Sequence, residues 1–322
     1  MGSNAESEVL VSVVMPTYNS ESYLMESLEC LKRQTFKAFE VIVVNDGSTD
    51  KTASILQHCA QMDARVIPVH VKKTGVASAR NCGLFVARGK YVIFLDSDDI
   101  FHSDLIARCY EEAEKSQADI TIFRYTILNM KDGKKLQGRG FCKKKSQLSV
   151  YPLQLSLINP EAWNKFYRKD FLLKNHLEFQ NLVTCNDVMF TKLSLLSAEK
   201  ISYIEDDLMT YRMNDKNISS TRYRYASNII EAGNGILSYV REKQVSFDYD
   251  DFYRMMSSFV NHEFKHFPQD ADKFAFIGCS LRFFPEKYRR KVKLKMIRVI
   301  VSNLSLSTWK ICFKEIAFLA KH

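Results

Sequence analysis

Val41-Ile42-Val43-Val44-Asn45-Asp46-Gly47-Ser48-Thr49-Asp50 joins four β-branched apolar residues to a polar turn. A strand with no polar alternation is buried on both faces, as in parallel sheets covered by helices on either side. Asn45, Gly47 and Ser48 then turn the chain toward a helix, which leaves Asp46 at the carboxyl end of its strand. Two further stretches repeat the pattern. Upstream, Val11-Ser12-Val13-Val14-Met15 runs into Pro16-Thr17-Tyr18-Asn19-Ser20, whose proline and polar residues suit a loop. Downstream, Tyr91-Val92-Ile93-Phe94-Leu95 ends in Asp96-Ser97-Asp98-Asp99. Between these strands, Tyr23, Leu24, Leu28 and Leu31, then Ala53, Ile55, Leu56 and Cys59, recur at helical spacing; a strand is predicted from Val66 to Val71 and a helix from Ala77 to Ala87. Alternating strands and helices predict an α/β fold, a mostly parallel sheet with right-handed crossovers. In such sheets ligands bind at the carboxyl ends of the strands.

The acidic end of the Tyr91 strand carries the chemistry. Three carboxylates within four residues repel one another where a buried strand emerges. A hard divalent ion with oxygen ligands, itself holding a phosphate, removes that repulsion. Asp96 and Asp98 are read this way because Asp46 marks a second acidic strand end. Asp99 stays open between that role and capping a helix that starts near Asp104.

Four fragments, Val13-Val14-Met15-Pro16-Thr17-Tyr18-Asn19, Val43 to Asp50, Ala79-Arg80-Asn81-Cys82-Gly83-Leu84 and Phe94 to Asp99, stand in the order and spacing of a known family. The first hundred residues resemble the amino-terminal half of a family 2 glycosyltransferase of the GT-A fold. The likeness continues more faintly through Ala162 to Arg168, Asn186-Asp187-Val188-Met189-Phe190 and Tyr211-Arg212, from about residue 10 to 225. The resemblance implies inverting transfer of a sugar from a UDP-sugar, of the kind that builds bacterial surface glycans, to a glycan, lipid-linked or glycoprotein acceptor. It implies Mn2+ or Mg2+ as cofactor, held by Asp98. Asp96 with Ser97 would hold the ribose or assist the ion, Asp46 would accept from the uracil imide, and Pro16, Thr17 and Tyr18 would bracket the base. Arg80 would reach the base or diphosphate; its alternative is an exposed helix cation. The general base falls on Asp187, where this chain has Asn186-Asp187 in place of the commoner Glu-Asp pair. Helix capping is the alternative for Asn186 or Asp187. Trp163 is read as an acceptor contact or as core, and Arg212 as a phosphate contact. The His often found two residues beyond that arginine is Asn214 here, which leaves no histidine contact at that point.

The implied organisation has residues 1–8 as a disordered cloning remnant and 9–225 as the catalytic domain. Its nucleotide-binding half is 9–125 and its acceptor half 126–225. A helical, basic extension covers 226–322. With 322 residues and 46% hydrophobic content a sizeable core is expected. The eight cysteines show no CxxC pairing or histidine partners at ligand spacing, which argues against a zinc site or disulfide framework. Scattered thiols, no signal peptide and no run of 18 apolar residues predict a cytoplasmic protein, or one peripheral at the inner face of the membrane.

Net charge is +9, and much of it lies in Glu286 to Val301, where Lys287, Arg289, Arg290, Lys291, Lys293, Lys295 and Arg298 mix with apolar residues. Trp309, Ile311, Phe313, Ile316, Phe318 and Leu319 form an apolar set beyond it. Such a basic amphipathic segment suits an anionic membrane surface. The alternative is a helical pair packed on the globule with a solvated basic face. No nucleic-acid-binding motif accompanies the charge, so nucleic acid is not an expected partner. A non-enzymatic alternative, a catalytically degenerate nucleotide-sugar-binding subunit of a glycan-assembly complex, rests on Asn186 alone. An oxidoreductase is disfavoured because no GxGxxG follows the first strand.

Overall fold

A computed structural model describes residues 8–138, 141, 153–213, 222–265, 267, 274–302, 317, 318 and 321. The chain divides into two compact units. Residues 1–147, 157–181 and 190–214 make the first, and 148–156, 182–189 and 215–322 the second.

The first unit opens as β1 (Val11–Thr17), α1 (Leu24–Lys32), β2 (Phe39–Asp46), α2 (Thr52–Met62), β3 (Val66–Val71), α3 (Val76–Val86) and β4 (Tyr91–Phe94). It continues through β5 (Ile100–Phe101), α4 (Leu105–Ser116), β6 (Ile120–Asn129), β7 (Lys135–Gln137), β8 (Lys165–Arg168) and α5 (Lys169–Lys174). Helix α6 (Asn186–Ser197) and β9 (Ile201–Met213) follow, α6 entering this unit at Phe190. The described strands form a nine-stranded sheet in the order β3-β2-β1-β4-β8-β6-β9-β5, with β7 paired to β6. Strands β3, β2, β1 and β4 are mutually parallel. Beyond them the sheet is mixed: β8 is antiparallel to β4 and β6, β9 is parallel to β6, and β5 and β7 run antiparallel to their partners.

The order explains where a ligand can sit. From β1 the chain winds outward through β2 and β3, then returns to place β4 on the other side of β1. The crevice beyond the carboxyl ends of β1 and β4 is therefore the point at which strand order reverses, the habitual ligand site of open α/β sheets. Val11, Val13 and Met15 pack with Leu24, Leu28 and Leu31 of α1 and Leu56 of α2 in one core cluster. Val14 points the other way, to α3, as a period of two requires. That contact is close: a Cβ added at Gly83 would lie 2.3 Å from Cγ1 of Val14. Gly83→Ala is expected to lower stability by about 1–3 kcal/mol through overpacking. A reduced urea midpoint at unchanged m-value would register it, and an unchanged midpoint would show that α3 can move off β1.

The second unit contains helices α7 (Asn228–Lys243), α8 (Tyr249–Lys265), α9 (Phe274–Phe283) and α10 (Glu286–Ser302). Of the two alternatives for the basic segment, packed helices with a solvated basic face describe α10 within this unit. Tyr288, Val292 and Met296, four residues apart along α10, are all buried, and α10 packs on α8 and α9. Lys287 pairs with Asp250 at 2.7 Å, Tyr288 donates to the same carboxylate, and Lys295 reaches the Ser257 hydroxyl at 3.2 Å. The apolar stripe of α10 is thus occupied by protein, and what faces outward is Arg290, Lys291 and Lys295 around Leu294, which is 49% exposed. Trp309, Ile311, Phe313, Ile316 and Leu319 lie outside the described residues. No helix among the described residues is long and apolar enough to cross a membrane.

Candidate active site

The carboxyl ends of β1, β2 and β4 carry the acidic residues that the sequence singled out. Thr17 closes β1, Asp46 closes β2, and Asp96, Ser97 and Asp98 follow β4 after the single residue Leu95. Two loops fasten the rim. Asn19, in the left-handed conformation at φ 49°, accepts the Thr49 N–H at 2.8 Å on its side-chain oxygen while its own N–H donates to Ser48 Oγ at 3.0 Å. Glu21 and Asp50 exchange similar bonds, the Glu21 N–H reaching Asp50 at 3.1 Å and the Lys51 N–H reaching Glu21 at 3.0 Å. These bonds join the turn after β1 to the turn after β2, so the floor of the cleft is set by local polar pairing as well as by the sheet.

Asp46 organises the loop between β3 and α3. One carboxylate oxygen accepts the Thr74 N–H at 2.6 Å and the Thr74 hydroxyl at 3.2 Å, and the other accepts the Gly75 N–H at 2.9 Å. Gly75 has φ 96°, a backbone state that side chains rarely adopt, which suits it to the sharp entry into α3. The same loop carries Lys73, whose ammonium lies 2.8 Å from the Tyr18 hydroxyl and 4.1 Å from the centre of its ring. Tyr18 is 41% exposed. A cation and an aromatic thus stand together at the edge of the cleft, and the sequence reading singled out Tyr18 but missed Lys73, a lone lysine with no motif around it.

Arg80 projects from α3 and is buried, its guanidinium 2.8 Å from Asp96 and 5.2 Å from the centre of the Phe179 ring. It is an internal ion pair holding the first aspartate of the acidic turn. Asp98 is half-buried, and its carboxyl is pushed up to about 6, first by burial and then by the charge of Asp96, with Arg212 opposing. Asp99 is wholly buried and caps nothing. Its Oδ1 accepts the backbone N–H of Arg212 at 2.8 Å, tying the acidic turn to the end of β9. Burial and the neighbouring Asp96 and Asp98 hold its carboxyl well above the ordinary range. Arg212 is buried as well, paired with Glu26 at 2.6 Å and lying over the Tyr23 ring.

Trp163 takes the core role that the sequence left open: it is 6% exposed, stacked on Tyr211 at 5.4 Å and edge-on to Tyr125 at 4.5 Å. Asp187 belongs to the second unit. It is half-buried on the first turn of α6, where its Oδ1 accepts the Val188 N–H at 3.0 Å, and the preceding Cys185 has φ 63°. Asn186 is buried and donates to the Leu182 carbonyl.

A sheet whose parallel half reverses its strand order, with acidic residues at the strand ends, is an α/β architecture that binds ligands at the reversal. Residues 12–190 match the family model described as glycosyl transferase family 2. The chain belongs to that family. It is 32% identical over 239 residues to the glycosyltransferase GlyG of Streptococcus pneumoniae, covering 69% of this chain and 77% of GlyG. It is 31% identical over 239 residues to the uncharacterized glycosyltransferase EpsJ of Bacillus subtilis, covering 67% of this chain and 65%, a little under two thirds, of EpsJ. Among solved structures, residues 1–349 of TarS from S. aureus in complex with UDP-GlcNAc superpose with a TM-score of 0.69 at 22% identity, covering 89% of this chain and 86% of that one. At that identity the likeness establishes the shared GT-A-type fold, a mixed sheet with flanking helices.

Proposed function

We propose that the chain transfers a sugar, with inversion, from a UDP-sugar to a hydroxyl of a glycan, lipid-linked or glycoprotein acceptor, with the help of a divalent cation. The carrying observation is the acidic turn itself. Asp98 is driven toward its protonated form by burial and by Asp96, an electrostatic conflict that a divalent ion relieves. Among the described residues no group of three or more His, Cys, Asp or Glu converges. That fits an ion held through one or two carboxylates, which takes its remaining ligands from diphosphate oxygens and water. Asp98 would hold it, and when bound it would place positive charge against the diphosphate as the leaving group becomes more negative. Asp96, fixed by Arg80, would orient the ribose side of the donor. Tyr18 and Lys73 would close over the base, and Asp46 would present the base pocket by setting the loop at Thr74 and Gly75. Asp187 is the proposed general base, taking the proton from the acceptor hydroxyl. The relatives named poly(ribitol-phosphate) glycosyltransferases, and TarS bound to UDP-GlcNAc, support a UDP-sugar donor. Screening UDP-, GDP- and dTDP-sugars for manganese-dependent hydrolysis tests the donor: UDP-sugars should be turned over fastest, and hydrolysis indifferent to manganese would refute the cation's part.

We also propose a cytoplasmic protein that rests on the inner membrane surface through the outward face of α10. The packing of α10 changes how. With Tyr288, Val292 and Met296 buried, the helix has little left to insert, so binding is electrostatic at about 1 kcal/mol per cation near an anionic bilayer and is screened by salt. The protein should co-sediment with anionic but not neutral vesicles at low salt. Arg290→Glu with Lys291→Glu should abolish that binding while leaving donor hydrolysis unchanged, and equal sedimentation of parent and variant would exclude this face.

A further inference from the structure

The acidic turn is held from a side to which the sequence did not point. Ser20 and Tyr23 lie in the turn that leads into α1, Tyr23 at its N-cap position, and Ser27 lies in the first turn of the helix. All of them touch the site. Ser20 Oγ lies 2.9 Å from Ser97 Oγ, Tyr23 lies beneath the Arg212 guanidinium, and the Ser27 hydroxyl is 3.0 Å from the Ser97 carbonyl and 2.7 Å from the Asp99 carbonyl. Ser27 is wholly buried. Helical serines ordinarily bond back to the carbonyl four residues earlier, and Ser116, Ser194 and Ser197 of this chain do so, at 2.6, 2.8 and 2.7 Å. Ser27 instead spans 70 and 72 positions of sequence to reach the two carbonyls that flank Asp98.

We propose that Ser27 is a positioning residue for the cation-binding turn. Its hydroxyl, shared between the Ser97 and Asp99 carbonyls, sets the path of the backbone through Asp98 and hence the direction in which that carboxylate meets the ion. A hydroxyl has one hydrogen to give, so the two carbonyls compete for a single donor and are drawn toward one point. The turn is then pinned on both sides of Asp98, by the Ser27 hydroxyl at the Ser97 and Asp99 carbonyls and by the Arg212 N–H of β9, which donates to the Asp99 carboxylate. Asp98 keeps its side chain out of this network and available to a ligand.

This inference rests on the reading that Asp98 holds a cation together with the donor diphosphate. The test is UDP affinity, measured by calorimetry with and without manganese. Ser27→Ala removes one buried oxygen and introduces the strongest helix former, so the variant should fold, as circular dichroism would register. It should bind UDP without metal like the parent, while the enhancement by manganese falls by about tenfold, the order expected when buried carbonyls lose their donor. Ser27→Cys, with a weak donor of similar size, should fall between. Ser194→Ala, which removes only a local back-bond, should leave the enhancement untouched. A folded Ser27→Ala with full manganese enhancement overturns the proposal, as does an equal loss of affinity with and without metal, which would mark Ser27 as merely structural. A parent protein whose UDP affinity ignores manganese overturns the cation reading, and this inference with it.

Discussion

Asp98→Asn should melt at a higher temperature than the parent at pH 8 and yet show no turnover. The carboxyl of Asp98 is pushed from its ordinary 3.8 up to about 6 by burial and by Asp96, so folding penalises its charged form. A raised carboxyl contributes stability that is fully present below its unfolded value and is lost as pH rises through the folded one. Between about pH 4 and 6 the parent therefore loses stability that asparagine, which does not titrate, never depended on. The gap between the two melting temperatures should be largest above pH 7 and vanish below about pH 4. The same substitution removes a cation ligand without removing core volume, so manganese-enhanced UDP binding should disappear while metal-free UDP binding survives. In the parent, the manganese enhancement should weaken as pH falls below about 6, where the ligand becomes protonated. Thermal melts across pH, paired with calorimetry, decide the matter. A variant no more stable than the parent at pH 8 would mean that the charge is already neutralised by protein, and unchanged manganese enhancement would move the ion elsewhere.

Asp187→Asn should reduce transfer by about a hundredfold or more with donor affinity near normal, because the amide cannot take the proton of the acceptor hydroxyl. Asparagine keeps a side-chain oxygen for the Val188 N–H, the bond that Asp187 makes at 3.0 Å on the first turn of α6. Any stability change should stay within about 1 kcal/mol, the size of a helix-terminus charge effect. Transfer measured with saturating UDP-sugar and a panel of acceptors separates the readings. A large loss with an unchanged melting temperature identifies a base. Wild-type transfer rates would leave Asp187 as a helix-start residue, and a parent inert with every donor and acceptor would favour a nucleotide-sugar-binding subunit.

Much of the parallel half of the sheet was legible from residue order alone. Uninterrupted apolar runs at Val13, Val41 and Ile93 can be buried on both faces only in a helix-covered sheet, and the polar residues that end each run fall at strand ends, which placed Asp46, Asp96 and Asp98; Pro16 and Thr17, expected in a loop, instead extend β1 because they pair with Val44 and Asn45 of β2. β3 matched its predicted span, and α3, at Val76–Val86, lies within one residue of its expected ends. The sheet's mixed half was less legible, because the antiparallel insertion of β8 between β4 and β6 depends on long-range pairing across about 75 residues, which local pattern does not encode.

Side-chain partners were decided by tertiary structure. Asp99 could have been a cap or a ligand; the neighbouring end of β9 makes it a buried acceptor for Arg212. Arg80 could have been a solvated helix cation, and the close approach of α3 to β1 at Gly83 buries it against Asp96. Tyr288, Val292 and Met296 give α10 an apolar stripe that a bilayer or another helix would satisfy equally, since burial of apolar surface is non-directional; only the presence of α8 settles which. Sequence by itself determined what each strand end could do chemically, because residue type and periodicity are local properties. Which of those groups are held, paired or left free to meet a ligand follows from contacts between residues far apart in the chain, as with Ser27 and the turn at Asp98, and only the folded structure supplies them.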